Sequence, residues 1–212
     1  MDDGPDHHRS GSPRAESRGA GLIALARRGD AVAFSQLFSA FERPIFRYAA
    51  HMCGRDAADD IVQETFLALL RPSTGPKANG YDPNKGSVAN YLFGIARHFI
   101  LKRLGGKELA TFELDEDDGR AGWVDDGRPT VLESLSRIET IQAVRAAIET
   151  LPAPYREVIV LCELQEMSYA DAAVIARCPI GTVRSRLHRA KAMLMAKLAA
   201  TEHAPVGLRK SV

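Results

Sequence analysis

Hydrophobic residues recur at three- and four-residue steps along most of the chain from Gly21 onward, which is the spacing of one face of an α-helix. The first such stripe consists of Phe34, Leu37, Phe38, Phe41, Ile45 and Tyr48. Pro44 lies inside this stripe and marks a point at which the helix could kink. No segment sustains the strict alternation of a half-buried strand. The pattern therefore predicts an all-α protein.

Two more helices are predicted before residue 105. The earlier one runs from about Asp56 to Leu70 and stops before Pro72. Its inward positions are Ile61, Val62, Thr65, Phe66 and Leu69. The later one is the segment SVANYLFGIARHFILKRLG, whose apolar face consists of Val88, Leu92, Ile95 and Phe99. The residues between them, 71–87, are rich in Pro, Gly, Asn and Lys and predict a loop.

The composition changes between Gly105 and Pro129, where acidic residues crowd a glycine-containing stretch that has no hydrophobic periodicity. Such a segment cannot bury enough apolar surface to fold, so it predicts a flexible linker. Helical periodicity resumes near Val131 and continues to Leu151.

The sequence therefore predicts two small helical domains, 21–104 and 131–200, joined by a flexible acidic linker at 105–130. Residues 1–20 are rich in Gly, Ser, Pro and charged residues, which predicts a disordered N-terminal tail. Residues 201–212 form a short C-terminal tail in this scheme.

The segment Met167–Lys191, MSYADAAVIARCPIGTVRSRLHRAK, contains two short helical patterns separated by a turn. Ser168 and Asp171 have the spacing of a helix-capping box, and the alanines that follow allow another helix to come close. Pro179 marks the turn, and Thr182 is predicted to be the N-cap of the second helix.

The second helix of this segment separates hydrophobic from basic residues. One stripe consists of Val183, Leu187, Ala190 and Leu194. The opposite side, named here the open face, consists of Arg184, Ser185, His188 and Arg189, and Arg186 lies at the edge of the apolar stripe. No Asp or Glu occurs from Arg177 to Ala200, so acids of the same helix cannot neutralise these arginines. The pattern indicates a DNA-binding helix-turn-helix, ending the second domain.

The composition of the 212-residue chain excludes several classes of protein. Its net charge is only +1, so the basic residues matter through local clustering. Cys53, Cys162 and Cys178 are widely spaced and form no metal-ligand pattern, which predicts a reduced cytoplasmic protein with no metal site. No secretory run or membrane span of ~20 apolar residues is present. Because no catalytic or cofactor-binding constellation is found, we expect neither an enzyme nor a cofactor.

Both halves of the chain resemble the extracytoplasmic-function (ECF) group of bacterial RNA polymerase sigma factors, within the sigma-70 family. DDIVQETFLALL followed by SVANYLFGIARHFILKRL is similar to the family's second conserved region. LPAPYREVIVLCELQEMSYADAAVIA followed by CPIGTVRSRLHRAK is similar to its fourth region. The motifs stand in the family's order, with no third domain between them. The resemblance implies a sigma factor that binds core polymerase, recognises the −10 and −35 promoter elements and promotes DNA opening for transcription initiation.

The resemblance also implies partners and contact residues. Asp60, Gln63 and Glu64 would bind the clamp helices of the largest polymerase subunit, and the polymerase flap is a further expected contact. Acid and amide groups suit a basic partner. The residues expected to bind −35 DNA are Thr182, Arg184, Ser185, Arg186, His188, Arg189 and Lys191. An anti-sigma factor is an expected partner, whereas direct membrane insertion is not expected.

The −10 element would be bound by the loop GYDPNKGS and the helix that follows it. The expected residues are Tyr81, Asn84, Lys85, Ser87, Asn90, Tyr91, Arg97, His98 and Arg103. A flexible loop with an aromatic ring and polar groups can hold an unstacked base. The chain has Tyr91, His98 and Lys102 where the family usually has Trp, Asn and Asp, and these differences bear on the −10 sequence preference.

The sequence leaves two alternatives to a sigma factor. The first is a helix-turn-helix repressor or activator that acts without replacing a sigma factor, although the chain offers no heptad or obvious dimerisation helix. The second is a metal-dependent helical hydrolase that uses Asp59, Asp60 and Glu64. That mechanism needs a second acidic cluster on a facing helix, where the sequence offers only Glu42.

Overall fold

The computed structural model describes residues 13–71, 80–105 and 137–202, with the side chains of 19–71, 80–105 and 141–200. Every regular element in these ranges is helical, which confirms the predicted all-α class. The α-helices are α1 (Pro13–Arg27), α2 (Ala31–Cys53), α3 (Arg55–Leu70), α4 (Val88–Arg103), α5 (Arg137–Glu149), α6 (Ala153–Ile159), α7 (Tyr169–Ala176) and α8 (Ile180–Glu202). A π-helical turn, Val160–Leu164, continues α6.

Helices α1–α4 pack together as a first unit, and their buried apolar side chains belong to a hydrophobic cluster shared with the later helices. The first unit's largest fully buried side chains are Tyr48, Phe93, Ile45, Met52, Ile61, Leu69, Leu92 and Ile100. The Asp30 carboxylate caps α2 by accepting hydrogen bonds from the backbone N–H groups of Val32 (2.9 Å) and Ala33 (3.0 Å). Helix α2 continues through Pro44 to Cys53, so the predicted apolar stripe lies on one helix.

Helix α1 begins at Pro13, so the prediction of a disordered tail over 1–20 is wrong from that residue onward. Proline suits the first turn of a helix because its missing N–H would have no intrahelical partner there. Ile23 and Ala26 of α1 are buried, and this tertiary packing outweighs the helix-weakening glycines of the segment. Residues 1–12, most of the predicted linker and the tail from residue 203 lie outside the described residues.

The buried face of α4 is rotated from the predicted one. Val88 and Leu92 are buried as expected, but Ile95 and Phe99 are only half-buried. The remaining apolar core positions are Phe93, Ala96 and Ile100. The reason is that α4 packs against helices of both units, and the sequence period reports only that an apolar stripe exists.

Helices α5–α8 form the second unit. Ser168 caps α7 as predicted, its Oγ accepting a hydrogen bond from the backbone N–H of Asp171 at 3.1 Å. Arg177 ends α7 in the left-handed conformation, with φ 54°. Helix α8 then begins at Ile180, and the Pro179 carbonyl accepts a hydrogen bond from the Val183 N–H at 3.2 Å. The prediction that Thr182 is the N-cap of α8 is therefore wrong, because Thr182 lies within the first turn.

The two units pack against each other. Helix α2 contacts α5, α6 and the π-helical turn, and α4 contacts α7. This contact between the units, named here the interunit interface, was not predicted from the sequence.

Candidate nucleic-acid interface

Helix α8 has the two faces predicted from its sequence. Val183, Leu187 and Ala190 are buried, whereas Leu194 is half-buried. On the open face, Arg184, Ser185 and His188 are exposed, and Arg189 is half-buried; Arg186, at the stripe's edge, is also half-buried. The Ser185 hydroxyl donates a hydrogen bond to the Thr182 carbonyl at 3.1 Å. The helix therefore presents fork-shaped cationic donors above a firmly packed apolar stripe.

Lys191 has an acidic neighbour that the sequence period did not reveal. Its Nζ lies 2.9 Å from Glu163 Oε1, and both side chains are about half exposed. Glu163 belongs to the π-helical turn, so the acid comes from another helix although α8 has none near this position. An exposed pair of this kind contributes little stability.

The predicted polymerase-binding residues lie on α3. Asp60 and Gln63 are exposed, and Glu64 is half-buried. Asp60 Oδ2 accepts a hydrogen bond from Arg103 Nη2 at 2.7 Å. Arg103 is one of the residues expected to bind −10 DNA, so the structure brings a predicted polymerase contact and a predicted DNA contact together.

A groove beside these residues was missed by sequence analysis. It has a volume of about 300 Å³ and is lined by Phe34, Phe38, Glu42, Asp59, Val62, Gln63, Phe66, Leu67 and Leu70. The rings of Phe34, Phe38 and Phe66 form its floor, with centroids 4.9 to 5.9 Å apart. Leu67 is 50% exposed at its edge. The sequence period predicts only that these phenylalanines face the core, whereas the structure shows that they also line an open groove.

The loop before α4 is held by its own polar groups. Asp82 Oδ1 accepts hydrogen bonds from the Asn84 backbone N–H (3.0 Å) and from Nδ2 (3.1 Å), and Asp82 Oδ2 lies 3.7 Å from Lys85 Nζ. Asn84 and Lys85 are exposed. The Tyr81 ring packs on Tyr91, with centroids 5.6 Å apart.

The start of α4 uses two of the predicted −10 residues structurally. The Tyr91 hydroxyl accepts a hydrogen bond from Arg27 Nη2 at 3.0 Å. Ser87 is the N-cap of α4 and accepts from the Asn90 backbone N–H at 3.1 Å. A side-chain oxygen committed to a cap has less capacity to bind DNA.

Asn90 and Arg97 are buried in the interunit interface. Asn90 Nδ2 donates to Asp171 Oδ1 at 2.6 Å. Arg97 Nε donates to Glu157 Oε1 at 2.7 Å, and Arg97 Nη2 donates to Oε2 at 3.3 Å. His98, the next residue of α4, is exposed and its ring lies 5.5 Å from that of Phe99. Among the predicted −10 residues, the structure therefore exposes four, leaves three half-buried and covers Asn90 and Arg97; the exposed ones are Asn84, Lys85, His98 and Arg103, and the half-buried ones are Tyr81, Ser87 and Tyr91.

Tyr48 completes the buried polar cluster by donating a hydrogen bond from its hydroxyl to Glu157 Oε1 at 2.7 Å. Burial and the Glu157 charge raise the pKa of Tyr48 well above its usual value of 10.0. Burial acts to lower the pKa of Arg97, but the hydrogen bond and charge of Glu157 outweigh it and raise that pKa. Sequence analysis missed this cluster, although one acid among the apolar residues of EVIVLC is a signal of a paired buried charge.

The described residues contain no group of three or more His, Cys, Asp or Glu side chains placed to hold a metal ion. Burial raises the pKa of the Cys162 thiol to about 12, helped by the Glu163 charge, so this cysteine remains protonated. Among the helices described, none is long and apolar enough to cross a membrane.

Family models match both helical units of the chain. Residues 37–108 match the family described as Sigma-70 region 2, and residues 141–194 match Sigma-70, region 4. A chain that pairs these two regions, with the helix-turn-helix in the second, is a DNA-binding transcription initiation factor of the sigma class.

Named relatives identify the group within this class. The ECF RNA polymerase sigma factor EcfG of Rhodopseudomonas palustris is 32% identical over 143 residues, which cover 68% of this chain and 72% of that protein. The ECF RNA polymerase sigma factor SigC of Mycobacterium tuberculosis is 29% identical over 175 residues, 82% of this chain and 88% of the relative. The chain belongs to the ECF group of sigma-70 RNA polymerase sigma factors.

A solved structure has the same fold. The sigma factor RpoE of Bartonella quintana, crystallised with the anti-sigma factor NepR, matches with a TM-score of 0.53 and 25% identity. The match covers 78% of this chain and 96% of that one.

Proposed function

We propose that this ECF sigma factor directs core RNA polymerase to promoters by reading the −35 element with α8 and the −10 element with α4 and its preceding loop. It supplies promoter recognition and DNA opening and catalyses no reaction itself. It acts in the cytoplasm, where polymerase and chromosomal DNA are found. The observation that carries the proposal is the exposed basic face of α8 above a buried apolar stripe.

The N-terminal half of α8 enters the major groove in this scheme. Arg184 and Arg189 project from the open face, and each can grip a guanine edge through two hydrogen bonds. Ser185 and His188 lie between them and tune the base preference. Arg186 and Lys191 are placed for phosphates. The first-turn backbone N–H groups near Thr182 add a favourable site for another phosphate oxygen.

Polymerase docking uses α3 together with the groove beside it. Asp60, Gln63 and Glu64 supply acid and amide groups for the clamp helices of the largest subunit. The groove supplies apolar surface, with Leu67 at its edge. We assign most of the docking free energy to the apolar contact and assign orientation to the charges, because exposed ion pairs contribute little.

The −10 element is bound at the exposed end of α4. Asn84, Lys85 and His98 are accessible, and the half-buried rings of Tyr81 and Tyr91 pack against each other at an angle of 59°. Aromatic rings can stack on an unpaired base, and the neighbouring cations attract the phosphates. Asn90 and Arg97 join this site only after the interunit interface separates, since both are buried there.

An anti-sigma factor is the proposed regulator of the chain. The support is that the structurally similar RpoE of Bartonella quintana was solved in complex with the anti-sigma factor NepR. The polymerase flap is a further proposed contact of the second unit.

Run-off transcription with purified core polymerase on a pool of promoter fragments tests the proposal. We expect transcripts only when the chain and the core enzyme are both present, and we expect the chain alone to give no stable gel shift with the same duplexes. Tight duplex binding without polymerase, and no promoted transcript, would instead identify a helix-turn-helix repressor or activator.

A further inference from the structure

Glu157 is a buried acid whose described partners come from the other unit. It lies on α6 in the second unit and is fully buried. Arg97 of α4 donates to both of its carboxylate oxygens, and Tyr48 of α2 donates to one of them. A buried carboxylate is tolerated only when it is paired and hydrogen-bonded, so this carboxylate needs the first unit in place.

Other polar contacts cross the interunit interface around this cluster. Arg156, next to Glu157, donates through Nη1 to the Met52 carbonyl at 3.2 Å, near the C-terminal end of α2. Carbonyls in the last turn of a helix lack intrahelical donors, so a cation is favoured there. Gln165 Nε2 donates to the Pro44 carbonyl at 3.2 Å. Together with the bond from Asn90 to Asp171, these contacts come from α6, from the residue after the π-helical turn and from α7.

The same interface covers part of the proposed −10 site. Arg97 is occupied by Glu157, and Asn90 is occupied by Asp171. Neither side chain can contact a base or phosphate while Glu157 of α6 and Asp171 of α7 hold them. On the open face of α8, by contrast, Arg184, Ser185 and His188 are exposed.

We infer that the two units of the free chain stay packed together and that the Glu157 carboxylate acts as a latch. The latch holds the second unit over Asn90 and Arg97, two residues of α4 proposed to bind −10 DNA. Polymerase or promoter DNA gains Asn90 and Arg97 only by separating the units, so the latch keeps the free factor from binding −10 DNA. The packing of the two units is inferred from the contacts above, whereas its inhibition of −10 DNA binding rests on the proposed function of α4.

The test compares solution scattering and amide hydrogen exchange of the full-length protein with the Glu157→Gln variant. Glutamine keeps the shape of the side chain but removes the negative charge that pairs with Arg97, and its NH2 group replaces one of the two oxygens that accept from that arginine. We expect a larger radius of gyration and at least about tenfold faster exchange in α4 and α6, with unchanged helicity by circular dichroism. Glu163→Gln is the matched control, because that exposed carboxylate pairs with Lys191 inside the second unit. It should behave as the parent protein.

A second variant keeps the test decisive if Glu157→Gln does not fold. Tyr48→Phe removes one hydrogen bond from the latch and retains the buried ring, so it should give a smaller change in the same direction. The inferred packing of the two units is overturned if the parent protein scatters as two separated units. It is also overturned if the folded Glu157 variant, or Tyr48→Phe in its place, matches the parent in both measurements.

The inhibitory effect has its own readout. Binding of a fluorescent single-stranded −10 oligonucleotide, measured without polymerase, should strengthen by about tenfold in Glu157→Gln and much less in Glu163→Gln, which changes the net charge equally but frees only Lys191. Opening without stronger oligonucleotide binding would remove the inhibitory role and the −10 assignment of Asn90 and Arg97, while leaving the latch itself in place.

Discussion

Helices α4 and α8 both carry arginines expected to bind DNA, yet the fold places these arginines in different environments. Arg97 on α4 is buried and bound to Glu157, whereas Arg184 on α8 is exposed. Each arginine lies on a helix whose other side packs into its own unit. The difference arises because the second unit lies against α4.

The comparison shows what helical periodicity does and does not report. The period identifies which residues point away from the core of the helix's own unit. It does not report whether another unit, distant in the sequence, covers that face. An arginine is therefore a better DNA-binding candidate when no buried acid elsewhere in the chain requires a partner, and Glu157 is such an acid.

The largest expected difference between the two arginines is in stability. Arg97→Ala leaves the Glu157 carboxylate buried without its cation, which should lower the free energy of unfolding by about 3–5 kcal/mol, less if the units separate and hydrate the carboxylate. Arg184→Ala should change it by less than about 0.5 kcal/mol because that side chain is exposed. Urea unfolding followed by circular dichroism measures both. Equal small losses would show that the buried pair does not contribute as the structure implies.

Tyr48 provides a smaller, more conservative test of the buried cluster. Tyr48→Phe should cost about 1.5–3 kcal/mol, the range for a hydrogen bond to a charged group. Tyr91→Phe is the matched control, since the Tyr91 hydroxyl also pairs with a charged group, Arg27, but is only half-buried. Its loss should be clearly smaller in the same unfolding assay.

The same tyrosine gives a pH dependence with a defined sign. Because the pKa of Tyr48 is raised in the folded state, the unfolded chain loses this proton first as the pH rises. The contribution of Tyr48 is therefore fully present below about pH 10 and falls above it, by up to about 1.4 kcal/mol per pH unit. Unfolding from pH 9 to 11 should show a steeper loss for the parent than for Tyr48→Phe. Parallel curves would contradict the burial of this hydroxyl.

The parts of the fold that local chemistry controls were predictable. The Ser168 cap, the helix-turn-helix and the buried stripe of α8 follow from spacings within a few residues, and the structure confirms them. The errors came from packing between distant segments. Helix α1 is fixed by burial of Ile23 and Ala26, and α4 turned toward partners that its own sequence does not identify.

The candidate site likewise has a part that local sequence predicts and a part that depends on contacts between distant segments. The open face of α8 was predicted because a single helix supplies all of its residues. The groove beside α3 was not, because it exists only where Phe34 and Phe38 of one helix meet Leu67 of another. Glu157 was visible as an isolated acid among apolar residues, but its partners, Arg97 and Tyr48, lie 60 and 109 positions away.

The exposed arginine should act on specificity rather than on stability. Arg184→Ala should abolish discrimination at one −35 base, a loss of roughly 1–3 kcal/mol, because a bidentate contact to guanine is removed. Lys191→Ala should weaken all promoters alike and reduce the salt dependence, as expected for a phosphate contact. Transcription from promoters with every −35 base varied measures both. If Arg184→Ala lowers activity equally on every promoter, Arg184 contacts a phosphate and the base assignment is wrong.

The smallest expected effects concern the exposed pair formed by Asp60 and Arg103, which joins a proposed polymerase contact to a proposed −10 DNA contact. Replacing Asp60 and Glu64 together with Ala should weaken core polymerase binding by a few tenths to 1 kcal/mol for each charge, with helicity retained, because both pairs would lie at a solvated rim.

Arg103→Ala distinguishes two roles of this arginine, which are orienting Asp60 and binding −10 DNA. If Arg103 only orients Asp60, it should weaken polymerase binding, measured by fluorescence anisotropy, and leave binding to the −10 oligonucleotide unchanged. If it binds DNA, the oligonucleotide affinity should fall and become less salt-dependent. Unchanged values in both assays would show that this exposed pair serves neither surface.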